Sequence, residues 1–353
     1  MGTHSFSTKD LIDLDGSVNI SHGAGGILSQ ALIDFLIKSI KKKNLADGIG
    51  LKELDDGATI PIPNNDKLVV VSSDGHTVDP LIFPGGDLGK LSVCGAVNDI
   101  LVMGADPIAL THVLIIEEGF SIKDLKALHD SFVNTVDEAG IAVIAGDTKV
   151  MPKGTLNGCI SATTSIGFVD KKNLITDAGV QPGDDIVVTG TLGDHGMSLI
   201  ACRKGMEFET DLISDVHLLN RVVDIARKYN PRAMKDPTRG GLAVALNDFA
   251  SKSGVSIWLD EDNVPFNETT VSACEMLGLS PYELASEGKA VISVPEGKGQ
   301  ELVKELRNLP ESKDAAVIGT AKSEKTGKVF IKTRIGGTRI LSVPIGEPIP
   351  RVC

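Results

Sequence analysis

Five aspartate-bearing segments and one cysteine supply the residue types that could do chemistry in this chain. The carboxylates stand in Asp55-Asp56-Gly57-Ala58, at Asp74, in Asn98-Asp99, in Gly146-Asp147-Thr148-Lys149 and in Asp236-Pro237-Thr238-Arg239-Gly240-Gly241. The surrounding apolar pattern places them at strand or helix ends. Mg²⁺ takes a few carboxylates together with water and phosphate oxygens, so acids converging from several segments suit an ATP–metal site. Any one of them alone reads more simply as a helix cap or turn residue. The cysteine is the last residue, in Pro348-Ile349-Pro350-Arg351-Val352-Cys353. Two prolines favour an extended tail, and a thiol on a short tether can be modified at one site and presented at another. The plainer reading is a frayed end that stops on Cys.

Glycine clusters are the second group of candidates. His22-Gly23-Ala24-Gly25-Gly26 precedes a helix expected to begin near Ile27, and its backbone N–H groups could close around an anion. A hinge between the N-terminal arm and that helix is an equal alternative. Gly190-Thr191-Leu192-Gly193-Asp194-His195-Gly196 follows a strand and opens a helix, as a second phosphate nest or, more simply, a tight turn. Gly86-Asp87-Leu88-Gly89-Lys90-Leu91 has neither the spacing nor the Ser/Thr of a P-loop. His22 and His195 both lie beside glycines, where a turn-stabilising role competes with proton transfer.

The elements that must position these groups are mixed strands and helices. Strands are expected over 68–73, 108–116, 141–145, 159–168, 186–189, 255–259, 290–294, 316–319 and 329–331, and helices over 87–104, 122–139, 216–229 and 241–252. The polar, turn-rich stretch 170–183 reads as an interdomain linker. With 353 residues, two domains are expected. The division is an arm, glycine-rich segment and first helix over residues 1–43, an N-terminal domain over 44–170, a C-terminal domain over 180–343, and a tail over 344–353.

Composition narrows the function classes. The chain is 42% hydrophobic but only 4% aromatic, so Val, Ile, Leu and Ala must build its core. A net charge of −12 argues against nucleic acid or an anionic membrane surface as the main partner. Five scattered cysteines (Cys94, Cys159, Cys202, Cys274, Cys353) form no CxxC pair, which points away from a disulfide framework and toward a reducing, cytoplasmic setting. The first four sit among apolar neighbours and read as core residues. No apolar run reaches membrane-spanning length.

The segments HGAGG (22–26), DPLIFPGGDLGKLSVCGAVNDI (79–100), GDTKV (146–150), GTLGDHG (190–196), DPTRGG (236–241), ASEGK (285–289) and PRVC (350–353), in this order, resemble the HypE family of hydrogenase maturation proteins. That family is part of the aminoimidazole ribonucleotide synthetase superfamily. The resemblance implies an α+β, two-domain aminoimidazole ribonucleotide synthetase-like fold. Its N-terminal domain would form a homodimer through its sheet, with ATP between the two domains. It further implies that Cys353 is carbamoylated by HypF and that the S-carboxamide is dehydrated with ATP to a thiocyanate. The cyanide would then pass to iron on a HypC–HypD complex. By the same resemblance Asp56, Asp74, Asp99, Asp147 and Asp236 are the Mg²⁺ and nucleotide ligands, and Lys149 and Thr238 contact phosphate or orient those carboxylates. Glu287 is the general base, with Asp99 a second participant.

The implied chemistry is physically reasonable. A carboxamide oxygen is a poor leaving group. Its attack on the γ-phosphate followed by removal of the N–H protons would leave the nitrile, with cationic groups holding the transferring charge. The competing reading of Glu287 is a helix-end carboxylate paired with Lys289. Ten residues from Pro344 to Cys353 reach about 30 Å, enough for one pose in the cleft and one facing a partner. Two other functions remain open at this level: another ATP-dependent enzyme of the superfamily, and a non-catalytic iron or cyanide carrier. The absence of a cysteine before Cys94 argues against selenophosphate synthetase.

Overall fold

In the computed structural model of the chain, residues 11–23, 25–203 and 211–346 are described; Cys353 and the rest of 347–353 lie outside them. Helix α1 spans Ile27–Ile37, followed by strands β1 (Ala58–Pro61), β2 (Lys67–His76), β3 (Ile82–Phe83) and β4 (Gly86–Asp87). Helix α2 (Leu88–Val102), β5 (Asp106–Glu117), α3 (Ile122–Ala139), β6 (Ala142–Met151) and β7 (Cys159–Asp170) complete the first half. The second half runs β8 (Asp185–Val188), α4 (Asp194–Cys202), α5 (Asn220–Ala226), β9 (Ala233–Lys235), α6 (Gly241–Ser253), β10 (Ser256–Asp260) and α7 (Glu268–Leu277). It ends with β11 (Val291–Val294), α8 (Gly299–Leu306), β12 (Ala316–Lys322), β13 (Lys328–Lys332) and β14 (Thr338–Leu341).

Two sheets organise these elements. The first has the order β1-β2-β7-β5-β6, antiparallel except for the parallel β5/β6 pair. Strand β7 alternates buried and half-buried residues along its whole length, as a strand with one covered face should. The cover is α2, whose sequence LGKLSVCGAVNDILV is apolar on nearly every side. Thirteen of its fifteen residues are accordingly buried, which makes it an internal spine rather than a surface helix. Asp87 caps it by accepting a hydrogen bond from the Lys90 N–H. Strand β6 lies at the sheet edge and is exposed throughout.

The second sheet has the order β14-β13-β10-β12-β8-β11-β9. Both of its faces are covered, which explains why successive residues of β8 and β11 are buried instead of alternating. Ile186 and Val188 face α6 residues such as Leu242, Leu246 and Phe249. Val187 and Ile292 face the other way, into a core shared with α8, α5 and α2. Val97 and Leu101 of the first half and Val222 and Met234 of the second belong to that one continuous core.

A buried ion network also crosses between the halves. Lys252 of α6 donates to Asp55 at 2.9 Å and to Asp177 at 2.7 Å, and Lys235 at the end of β9 pairs with Asp56 and Asp177. The stretch 170–183 is therefore more than a loose linker. It carries two short 3₁₀ turns, and Asp177 in the second is buried at the centre of the network.

Several elements differ from the sequence expectation. Strand β6 continues through Met151, so Asp147 and Lys149 lie within a strand instead of after one. Asp74 and Asp99 likewise sit inside β2 and α2. The expected helix over 216–229 begins only at Asn220, because Asn98 draws the preceding backbone to α2: its Nδ2 donates to the His217 carbonyl and its Oδ1 accepts from the Leu219 N–H. Cys202 is exposed at the end of α4, whereas Cys94, Cys159 and Cys274 are buried. Among the described residues no helix is long and apolar enough to cross a membrane.

Removing one partner from a buried ion cluster strands the others. Lys235→Met should therefore destabilise the protein by about 3–5 kcal/mol, read as a lower urea midpoint, and adding Asp56→Asn should recover part of the loss.

Candidate active site

Asp56, Asp74, Asp99, Asp236 and Glu287 line one cleft of about 190 Å³, together with Gly75, His76, Gly95, Thr238 and Arg239. The fold brings them from five separate places. Asp74 and His76, two residues apart on β2, face the same side of the strand. Asp99 is one helical turn from Gly95 on α2 and accepts a hydrogen bond from Ser72 Oγ of β2. The helix can lie this close because residue 95 has no side chain: a Cβ there would stand 2.6 Å from His76 Cε1 and 3.3 Å from Asp74 Oδ2. Asp236 and Thr238 follow β9, and Asp56 precedes β1.

Glu287 enters from the loop before β11 on a braced backbone. Its N–H donates to Asp215 Oδ1 at 2.9 Å, its carbonyl accepts from Asn98 Nδ2, and the neighbouring Ser286 N–H donates to the Pro237 carbonyl. The GTLGDHG turn supports it from behind: Gly193 N–H donates to Ser286 Oγ, and Gly196 N–H to the Ala285 carbonyl. That segment is thus a structural strand-to-helix turn, with Asp194 accepting from Thr191 and Thr270. Glu287 is only 3% exposed, and its Oε1 has no hydrogen-bond partner. Lys289 donates instead to the Glu311 carbonyl, which removes the reading of Glu287 as an ion-pair partner of Lys289.

Crowding of like charges sets the electrostatics. Burial, reinforced by the carboxylates of Asp236, Asp215 and Asp74, pushes the Glu287 pKa well above the ordinary glutamate range. Burial and the carboxylates of Asp74, Asp236 and Asp56 do the same to Asp99. Asp236 is pushed up to about 7 by burial, with Lys235 opposing the shift and Asp74 adding to it. Burial works against the Lys235 ammonium too, but Asp56, Asp177 and Asp248 outweigh it and raise its pKa. Burial also raises the Asp56 carboxyl, against the pull of the Lys235 ammonium beside it. No group of three ligating side chains among the described residues forms a ready-made metal cage. The donor set fits Mg²⁺ in another way: hard carboxylate oxygens repel one another around an open space, and a divalent ion that also carries phosphate oxygens would relieve that repulsion.

The remaining sequence candidates fall elsewhere. Asp147 and Lys149 form an exposed pair with each other at 2.7 Å on β6, outside the cleft lining. His195 is buried with its Nδ1 2.7 Å from Ser214 Oγ, and His22 Nδ1 accepts from the Asn19 N–H in a local turn. Cys353 lies outside the described residues. The structure adds His76 and Arg239, for which the sequence reading proposed no role. His76 is buried with its Nε2 unpartnered, and its i+2 spacing from Asp74 on a strand is the signal that would have found it.

A carboxyl group whose pKa is raised on folding contributes stability below its unfolded value that is lost as pH rises. Glu287→Gln should therefore gain stability relative to the parent protein as pH is raised from about 5 to about 8, and the two should converge toward pH 4. Thermal midpoints of the nucleotide-free proteins across that range check the sign.

The model of the AIR synthase related protein N-terminal domain matches residues 54–169, and that of the corresponding C-terminal domain matches residues 181–332. The carbamoyl dehydratase HypE of Cupriavidus necator is 38% identical over 340 residues, 96% of this chain and 95% of its own length. A HypE in a HypE–HypF complex superposes with a TM-score of 0.81 at 34% identity, covering 89% of this chain and 99% of that one. A HypE solved in complex with ATP gives a TM-score of 0.78 at 35% identity, covering 96% and 100%. The coverage extends across both halves, the cleft and the α+β two-domain architecture expected from the sequence. The chain therefore belongs to the HypE carbamoyl dehydratases, within the AIR synthase related family.

Proposed function

We propose that this chain binds ATP in the cleft bounded by Asp56, Asp74, Asp99, Asp236 and Glu287, and dehydrates an S-carbamoyl group on its own Cys353 to a thiocyanate. The observation that carries this reading is Glu287, a buried carboxylate with an unpartnered oxygen on the wall of an acid-rich cleft. Of the two reagents, ATP converts the carboxamide oxygen into a phosphate leaving group. The balance is carbamoyl thioester plus ATP giving thiocyanate, ADP and phosphate.

The chain's own residues divide the remaining work. Asp74, Asp99 and Asp236 are placed to hold Mg²⁺ and the nucleotide, with Asp56 shared between that role and Lys235. Thr238 offers a hydroxyl to phosphate from the loop after Asp236. Glu287 accepts the carboxamide N–H protons. Burial is the main reason its pKa is raised, with Asp236, Asp215 and Asp74 adding to it, and neutralising Asp236 and Asp74 would lower it toward the range of a working base. Asp99 is the second proton-handling candidate.

The partners follow from the same reading. HypF carbamoylates Cys353, a HypC–HypD complex carrying iron accepts the cyanide, and the reactions take place in the cytoplasm. The chain divides as an N-terminal unit over 44–170 and a C-terminal unit over 180–343, with residues 1–43 and 344–353 flanking them. The exposed Val143, Ile144, Val150 and Met151 of β6 support a homodimer formed through the open edge of the first sheet. An edge strand with this much uncovered apolar surface suits a second copy of the chain. There Asp147 and Lys149 would serve at the interface and not in the cleft of their own chain.

Incubation with HypF, carbamoyl phosphate and ATP, followed by intact-mass measurement, tests the reaction. A carbamoyl adduct on Cys353 should lose one water only when ATP is present, and Cys353→Ala should form no adduct. Glu287→Gln should still be carbamoylated but dehydrate at least about 100-fold more slowly. An adduct that loses water without ATP would overturn the proposal. Ile144→Asp with Val150→Asp should convert the dimer to a monomer in sedimentation; an unchanged sedimentation coefficient would move the interface elsewhere.

A further inference from the structure

The first turn of α1 is capped in an unusual way, by the other end of the chain. Ile27 N–H donates to the Pro344 carbonyl at 3.0 Å, and Leu28 N–H to the Ile345 carbonyl at 3.3 Å. The first N–H groups of a helix have no partner within it and are normally met by a capping side chain, water or an anion. Here the cap residue is Gly26, which offers no side chain. The absence is required by contact: a Cβ on Gly26 would lie 2.4 Å from the Pro344 carbonyl oxygen and 3.1 Å from the Ile345 carbonyl. Pro344 is buried. The N–H of Gly25 is also engaged, donating to Ser29 Oγ at 2.8 Å. Three donors that a phosphate nest would need are therefore already committed.

The same glycines touch the cleft. Gly25 has φ of +81°, and a Cβ there would lie 2.6 Å from Arg239 Cβ and 2.8 Å from the Arg239 carbonyl oxygen. Arg239 is part of the cleft wall, in one loop with Asp236 and Thr238. The glycine segment is thus packed between the start of the tail on one side and the Asp236–Arg239 loop on the other.

We infer that Gly25 and Gly26 form a clasp that pins the C-terminal tail beside the cleft mouth, making Gly26 a positioning residue for the tethered substrate. This inference rests on the proposed self-dehydration at Cys353 and specifies how that group is delivered. Strand β14 ends at Leu341, twelve residues before Cys353. With Pro344 and Ile345 held, only the eight residues from Gly346 to Cys353 separate the thiol from its anchor, a reach of about 28 Å when fully extended. The effective concentration of a tethered group falls roughly as the −3/2 power of tether length, so release from eight to twelve free residues costs about twofold, and lost orientation adds to that.

The test separates delivery from chemistry. The parent protein, Gly26→Ala and Gly26→Val are loaded by HypF, mixed with ATP, and followed by intact mass. Each is also prepared with Cys353→Ala and given an S-carbamoyl peptide ending Pro-Arg-Val-Cys. The clasp predicts normal ATP affinity and normal turnover of the free peptide in both variants, with dehydration of their own tails about two- to tenfold slower. Unchanged tail dehydration, or an equal slowing with the free peptide, would overturn it. A measurement that needs no substitution in the glycine segment is amide exchange at Ile27 and Leu28 in the full chain and in a chain ending at Ser342. Faster exchange in the shorter chain supports the clasp, and equal protection refutes it. A parent protein that takes up carbamoyl but never loses water would overturn the functional reading while leaving the exchange result to judge the clasp.

Discussion

Carboxylates held close together in a poorly solvated space repel one another, and much of this structure is arranged around that cost. Asp56, Asp74, Asp99, Asp236 and Glu287 share one cleft, while Asp55, Asp177 and Asp248 lie just behind it. Lys235 and Lys252 are the counter-charges, and they neutralise the rear of the group. The front is left with excess negative charge. Burial, reinforced by that imbalance, raises the pKa values of Asp99, Asp236 and Glu287, and the arrangement suits a site that a cation and a polyphosphate complete.

Helix α2 is the mechanical counterpart of that charge arrangement. It is buried on all sides, so it can face the first sheet, the second half and the cleft at once. Gly95 and Asp99 lie on its cleft side, and Asn98 holds both the 217–219 backbone and the Glu287 carbonyl. A polar side chain in the middle of such a helix is tolerated because both ends of its amide are hydrogen-bonded. The result is that the Glu287 segment and the cleft acid Asp99 are braced on the same element.

Much of the fold was legible in the sequence where local pattern and burial agree. Helix α3 occupies the expected residues because its apolar spacing, Ser121 cap and terminal Gly140 all point the same way. Strands β7, β8 and β11 fall within two residues of their expected bounds. The expectation failed where a tertiary contact overrode the pattern. The 216–219 stretch is largely apolar and helix-compatible, yet Asn98 draws its backbone to α2 and the helix starts only at Asn220. Strand β6 runs on through polar residues because β5 supplies a parallel partner to its end at Met151. Cys202 reads as a core residue from its neighbours but falls at the open end of α4.

By itself the sequence determined the family, through ordered motifs, and the candidate acids at Asp56, Asp74, Asp99 and Asp236 with Glu287. It could do so because these residues stand in recognisable local strings. Only the tertiary structure decided that these acids converge while Asp147 and Lys149 stand apart on an open edge. It also showed that Glu287 has no lysine partner, and that His76 and Arg239 complete the wall. The physical reason is that convergence and charge balance depend on distances between segments far apart in the chain, which a linear order does not contain. The glycine segment shows the same limit: its composition suits an anion or a hinge equally, and only the carbonyls of Pro344 and Ile345 reveal what its helix donors hold.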